Sequence, residues 1–101
     1  MNLTAAVLVL VSIMFSAAQV AAETAGERLF NQKCIMCHVV RGKGGAIGPE
    51  LTRAGTMMSD AQIRSKMMYP KKSHPSSSMP SFQTLPKGDF DAIVIYVRSL
   101  K

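Results

Sequence analysis

Apolar residues follow three patterns along the chain. From Leu3 to Ala22 they are nearly continuous, interrupted only by Thr4, Ser12, Ser16 and Gln19. Beyond Glu23 they become sparse and periodic, and the periodic stretches are separated by runs of glycine, proline and serine. The clearest period lies at the C-terminal end. Phe90, Ile93, Val94, Val97 and Leu100 recur at three- and four-residue intervals and mark one apolar face of a helix. Asp89 and Asp91 at its start, and Arg98 and Lys101 at its end, match the helix dipole. A first helix is signalled by Thr24 and Glu27, the two ends of a capping box, and runs to about Lys33. Gly26, Phe30 and Cys34 then share a face, and a glycine inside a helix points to close packing against another backbone.

A middle helix is predicted from Ser59, which forms a second capping box with Gln62, to about Tyr69, where Pro70 stops it. Ile63 and Met67 mark its apolar side. The glycine-rich stretch Val39 to Gly48 reads as loop, and so does Pro70 to Pro86 with its four prolines. Alternation of the kind a strand requires is found only in Ile93 to Val97, which fits a helix better. The expectation is an all-α domain over residues 23–101 with two terminal helices, one middle helix and long loops.

The continuous apolar run is a separate unit. Its closing small residues Val20, Ala21 and Ala22 fit a secretory signal peptide cleaved near Ala22/Glu23. Its n-region holds no basic side chain, and its length is roughly that of a bilayer-spanning helix, so an uncleaved anchor is the alternative. Either way residues 23–101 are expected to be exported, and a membrane is a partner only if residues 3–22 are retained.

Charge changes the picture next. All twelve Lys and Arg and all six Asp and Glu lie after Ala22, giving a formal net charge of +6. That excess favours acidic partners. Nucleic acid is disfavoured, because the basic residues are scattered and no nucleic-acid motif is present. So small a domain has a marginal core, in a chain with no Trp and only six aromatic residues, and usually needs a staple.

Cys34-Ile35-Met36-Cys37-His38 supplies one: it is the haem c attachment signature. Two thiols at this spacing can each form a thioether with a vinyl group of one porphyrin, and the following His38 is carried beneath the ring to bind iron. A thioredoxin-like pair lacks its βαβ surroundings. A zinc site lacks a second cysteine pair, and a structural disulfide is the third alternative. Candidates for a sixth iron ligand are His74 and the methionines at 57, 58, 67, 68 and 79; Met36 lies between the cysteines and cannot reach the other face. Met79 stands apart in a proline-rich loop, and a thioether ligand favours reduced iron. His74 reads better as an exposed loop residue.

These motifs, in this order, resemble the class I cytochromes c over residues 23–101. Gly48-Pro49-Glu50-Leu51 is similar to that family's Gly-Pro-x-Leu, and Met79-Pro80-Ser81-Phe82 to its Met-Pro-x-Phe. The last helix, with Ile93 and Tyr96, resembles the one that crosses the first near Gly26 and Phe30. The resemblance implies a single covalent haem c on Cys34 and Cys37, with His38 and Met79 as axial ligands. It implies that the Pro49 carbonyl orients His38, that Leu51 packs on the haem, and that Arg53 approaches a propionate. It also implies a non-enzymatic electron carrier, monomeric by default, in the periplasm or on the outer face of the cytoplasmic membrane. Its partners would be redox proteins with acidic docking patches, met by Lys33, Arg41, Lys43, Lys71 and Lys72. A dedicated subunit of a dehydrogenase or reductase is the alternative, and a peroxidase- or ligand-binding haem a more distant one.

Overall fold

A computed structural model describes residues 22–101, so the segment read as signal peptide or anchor lies, apart from Ala22, outside the described residues. The two terminal helices are where the periodicity puts them. Helix α1 spans Ala25–Lys33, with Thr24 Oγ1 accepting the Glu27 N–H at 3.1 Å. Five elements follow in chain order: β1 (Val39–Val40), β2 (Lys43–Gly44), α2 (Ala54–Met57), α3 (Asp60–Met68) and α4 (Pro70–Ser73). The chain closes with α5 (Lys87–Ser99).

The core is the crossing of α1 and α5. Phe30, Phe90, Ile93, Val94, Val97 and Leu100 are all buried, joined by Ile63 and Met67 from α3 and by Ala54. Gly26 makes the approach possible: a Cβ there would run into the Ala92 carbonyl of α5 and sit 2.9 Å from Tyr96 Cβ. A methyl group at this point has nowhere to go, because its neighbour is backbone. One turn on, the Phe30 and Tyr96 rings meet at 5.2 Å and 58°, a tilted aromatic pair.

Helix α3 has the sharper start. Ser59 and Gln62 close both hydrogen bonds of the capping box, at 3.2 and 2.8 Å. Arg64 then ties α3 to α5, donating to Asp60 one turn back and to Asp91 across the interface, both at 2.6 Å. Its guanidinium also lies 5.8 Å from the Phe90 ring centre, within cation–π range. Asp91, expected only as a dipole-compensating residue, thus joins the helices, and hydrogen bonds from Arg64 and Lys87 hold its carboxyl below the ordinary carboxylate range.

Three local expectations are corrected. The glycine-rich stretch is not all loop: Val39 pairs with Gly44 and Val40 with Lys43 in a short antiparallel hairpin. Its two turn residues, Arg41 and Gly42, both have positive φ (49° and 79°), as a primed turn needs. Pro70 ends α3 but also opens α4, taking a first-turn position where its missing N–H costs nothing. The third is α2, a single turn with Gly55 N–H donating to the Leu100 carbonyl at 2.6 Å. One-turn helices and two-residue strands carry too few positions for a period to register.

Candidate functional site

The end of α1 builds the first part of the site. Cys34 N–H still bonds to Phe30, at 2.8 Å, and His38 N–H then bonds to the Cys34 carbonyl at 3.0 Å. This turn keeps Cys34, Cys37 and His38 on one wall of a cleft. Both cysteines are free thiols. Burial pushes the Cys34 thiol up to about 11, against the opposing pull of Lys33.

His38 is fixed from the side. Its Nδ1 lies 2.8 Å from the Pro49 carbonyl oxygen, and since a carbonyl only accepts, Nδ1 carries the proton. In a neutral imidazole that leaves Nε2 with a free lone pair, the arrangement a metal-binding histidine requires. Gly48 backs the ring: a Cβ there would come within 2.6 Å of Cε1 and 2.8 Å of Nδ1. Gly48 is itself held by its N–H on the Cys37 carbonyl at 2.7 Å, and Leu51 by its N–H on Val39 at 2.8 Å. The hairpin therefore serves the site, because it returns the chain so that Gly48 and Pro49 lie along His38.

The remaining wall comes from α3 and the loop after it. Ile63, Lys66 and Met67 project from α3, and Met79 comes from the proline-rich loop. That loop caps the C-terminal end of α3, where carbonyls lack helical partners. Phe82 N–H donates to the Met67 carbonyl at 2.9 Å, while Ser81 Oγ and Gln83 Nε2 donate to Met68 at 2.7 and 3.0 Å. Met79 is positioned just before these anchors, its own N–H donating to Ser77 Oγ at 3.2 Å.

The cleft has two lobes. An inner one of about 230 Å³ is lined chiefly by Phe30, Leu51, Met58, Ile63, Met67 and Ile93. An outer one of about 370 Å³ opens past Cys37, Ile47, His74 and Ser76 to Ser78. Cys34, His38, Pro49, Lys66 and Met79 line both. Together the lobes fall in the size range of cofactor sites, and the inner one is apolar, as a porphyrin face requires.

Of the expected site residues, Cys34, Cys37, His38, Pro49, Leu51 and Met79 are brought together at this cleft. Arg53 is not: it is exposed and lines neither lobe. His74 does line the outer lobe, exposed and 3.2 Å from Ser73 Oγ, so it shares the cleft with Met79. Met57 and Met58 line the inner lobe, whereas Met68 lines neither lobe and faces a further hollow on the Met79 loop, with Tyr69, Pro70 and Met79 itself. Lys66 was missed by the sequence reading. Its position three residues after Ile63 and one before Met67, at the edge of the apolar face of α3, was the available signal.

The cleft thus brings two free thiols and one oriented imidazole against an apolar wall. The Cytochrome c family model matches residues 23–101, and the chain belongs to that family. The family binds covalent haem c and uses it for electron transfer, and the two cysteines here fit such attachment. The chain is also 29% identical over 85 residues to the cytochrome c oxidase subunit 2 of Alkalihalophilus pseudofirmus, an alignment covering 75% of this chain. It spans only 25% of that relative's length.

Proposed function

We propose that residues 23–101 form a one-electron carrier holding a single haem c, bound through Cys34 and Cys37, with His38 and Met79 as axial ligands. The observation that most supports this is the 2.8 Å bond from His38 Nδ1 to Pro49, which frees Nε2 at the cleft. Haem iron supplies the chemistry when bound, one electron gained or lost between ferric and ferrous states.

The chain's residues do the rest. Pro49 and Gly48 hold His38 in one tautomer and orientation, so the imidazole need not reorganise as charge changes. Met79 offers a neutral thioether, which favours the reduced state. Phe30, Leu51, Ile63, Met67 and Ile93 keep water out of the inner lobe, which raises the cost of an extra positive charge there.

The outer face supports a carrier rather than a closed enzyme site. Met36 and Ile47 are 77% and 75% exposed, and Ile47 lines the outer lobe beside Cys37 and Lys33. An apolar spot with cations near it suits brief contact with an acidic redox protein, with encounter speeded by charge. The domain works outside the cytoplasm, in the periplasm or on the outer face of the cytoplasmic membrane, where residues 3–22 deliver or anchor it. A second reading, a dedicated electron-entry domain of a respiratory complex, is favoured by the oxidase-subunit relative.

Met79→Ala tests the ligand set. Loss of the thioether should lower the reduction potential and open the sixth position to added imidazole. A potential and imidazole affinity equal to the parent's would remove Met79 from the scheme.

A further inference from the structure

Lys66 is a charged side chain that lines both lobes of the cleft, and nothing above employs it. Lys66 projects from α3 into both lobes and is half-buried. It makes no hydrogen bond or ion pair among the described residues, although Arg64 two positions earlier on the same helix is engaged by both Asp60 and Asp91. A half-buried lysine that lines an apolar lobe and pairs with no anion among the described residues is available to an anion that a ligand brings.

Other charged and titratable groups at the cleft are poorer partners for a buried anion. Lys33 and His74 line only the outer lobe and are exposed. Arg53 lines neither. Glu50 lines the inner lobe, yet it is exposed, accepts the Thr52 hydroxyl at 2.9 Å and forms no ion pair with Lys66. The thiols of Cys34 and Cys37 are committed to attachment.

Haem is an amphiphile: its ring is apolar, and its two propionates are carboxylates. We propose that Lys66 binds one of those propionates, taking the place the sequence reading assigned to Arg53, and through that pair raises the reduction potential. This rests on the haem reading above. The ammonium offsets the carboxylate's stabilisation of ferric iron, so the ferrous state is favoured. It also keeps the carboxylate ionised through neutral pH, because an opposite charge favours the charged form.

The test is redox potentiometry of the full-length haem-loaded protein across pH 5 to 9, comparing the parent with Lys66→Met, Lys66→Gln and Lys66→Arg. Lys66→Met keeps the apolar stem and removes the charge. Haem content and the iron–methionine absorption band are recorded for each variant. Lys66→Met and Lys66→Gln should lower the potential, shifting the ferric-to-ferrous ratio at fixed ambient potential by roughly two- to tenfold. They should also introduce a fall in potential with rising pH near neutrality, as the unpaired propionate ionises. Lys66→Arg should restore the parent's value and flat profile. In a Glu50→Gln background, Lys66→Met should have the same effect.

Haem-loaded Lys66→Met and Lys66→Gln with the parent's potential and pH profile would overturn the assignment, and so would an effect that vanishes in Glu50→Gln. Failure of the parent to attach haem would overturn the haem reading itself, which separates the two.

Discussion

The two walls of the cleft are built in different ways. The wall from Cys34 to Leu51 is held largely by backbone: Cys34, His38, Gly48 and Leu51 all place their N–H groups on nearby carbonyls, and Gly48 lies in contact with the imidazole. The Met79 wall hangs from α3 by the side chains of Ser81 and Gln83 and by the Phe82 N–H, while Ser77 Oγ accepts the Met79 N–H within the loop itself. Much of the loop around it is exposed. Backbone contacts closed by glycines leave few alternatives, whereas hydroxyl and amide bonds at a surface are individually weak. The difference teaches that the His38 side is set by the fold, while the Met79 side is the one that can open.

The largest effect should come from breaking what both walls stand on. Gly26→Val places a branched side chain against the Ala92 carbonyl, and should cost about 3 kcal/mol or more. Denaturant unfolding would register it; a stability within 1 kcal/mol of the parent's would deny the close crossing. Cys34→Ser with Cys37→Ser should abolish covalent haem, read by acid–acetone extraction followed by mass spectrometry.

Gly48→Ala attacks the His38 wall alone. The added Cβ meets the ring, so the variant should lose about 1–3 kcal/mol and show a disturbed His38 environment by NMR. Ser81→Ala attacks the Met79 wall alone. It removes one bond to the Met68 carbonyl, worth about 1 kcal/mol. It should chiefly raise imidazole affinity at the sixth position, by roughly threefold to tenfold. If Gly48→Ala gave the larger imidazole effect, the contrast between the walls would be wrong.

The smallest effect is electrostatic. Asp91 has its carboxyl lowered by Arg64 and Lys87, so its contribution to stability is present above the unfolded value of 3.8 and is lost as pH falls through the depressed folded value. Asp91→Asn should therefore weaken the protein at pH 7 and match the parent once the pH lies below the depressed folded value. Denaturant titrations at the two pH values check this, and a deficit that persists in acid would assign Asp91 a packing role instead.

Legibility in the sequence followed the range of the determining interaction. The last helix was plain because each of its five apolar positions is buried against the same core, and α3 because Ser59 and Gln62 settle its start locally. The hairpin was hidden because the glycines that permit its turn are also what a loop looks like. Arg53 and Lys66 are the instructive pair. Both are cations near the motif, but which one lines the cleft depends on how α3 rotates against α5, and that is decided by Ile63, Met67 and the Arg64–Asp91 bond far along the chain. The Pro49–His38 contact was legible only through the family resemblance, and the fold closes it at 2.8 Å.

A covalently held haem with iron between His38 and Met79 is tested most directly by the optical spectrum of the ferric protein. Produced in a host that attaches haem c, the parent should show the weak far-red iron–thioether band at neutral pH, and Met79→Ala should lack it. A haem-loaded parent without that band, or a Met79→Ala variant that retains it, would contradict the account.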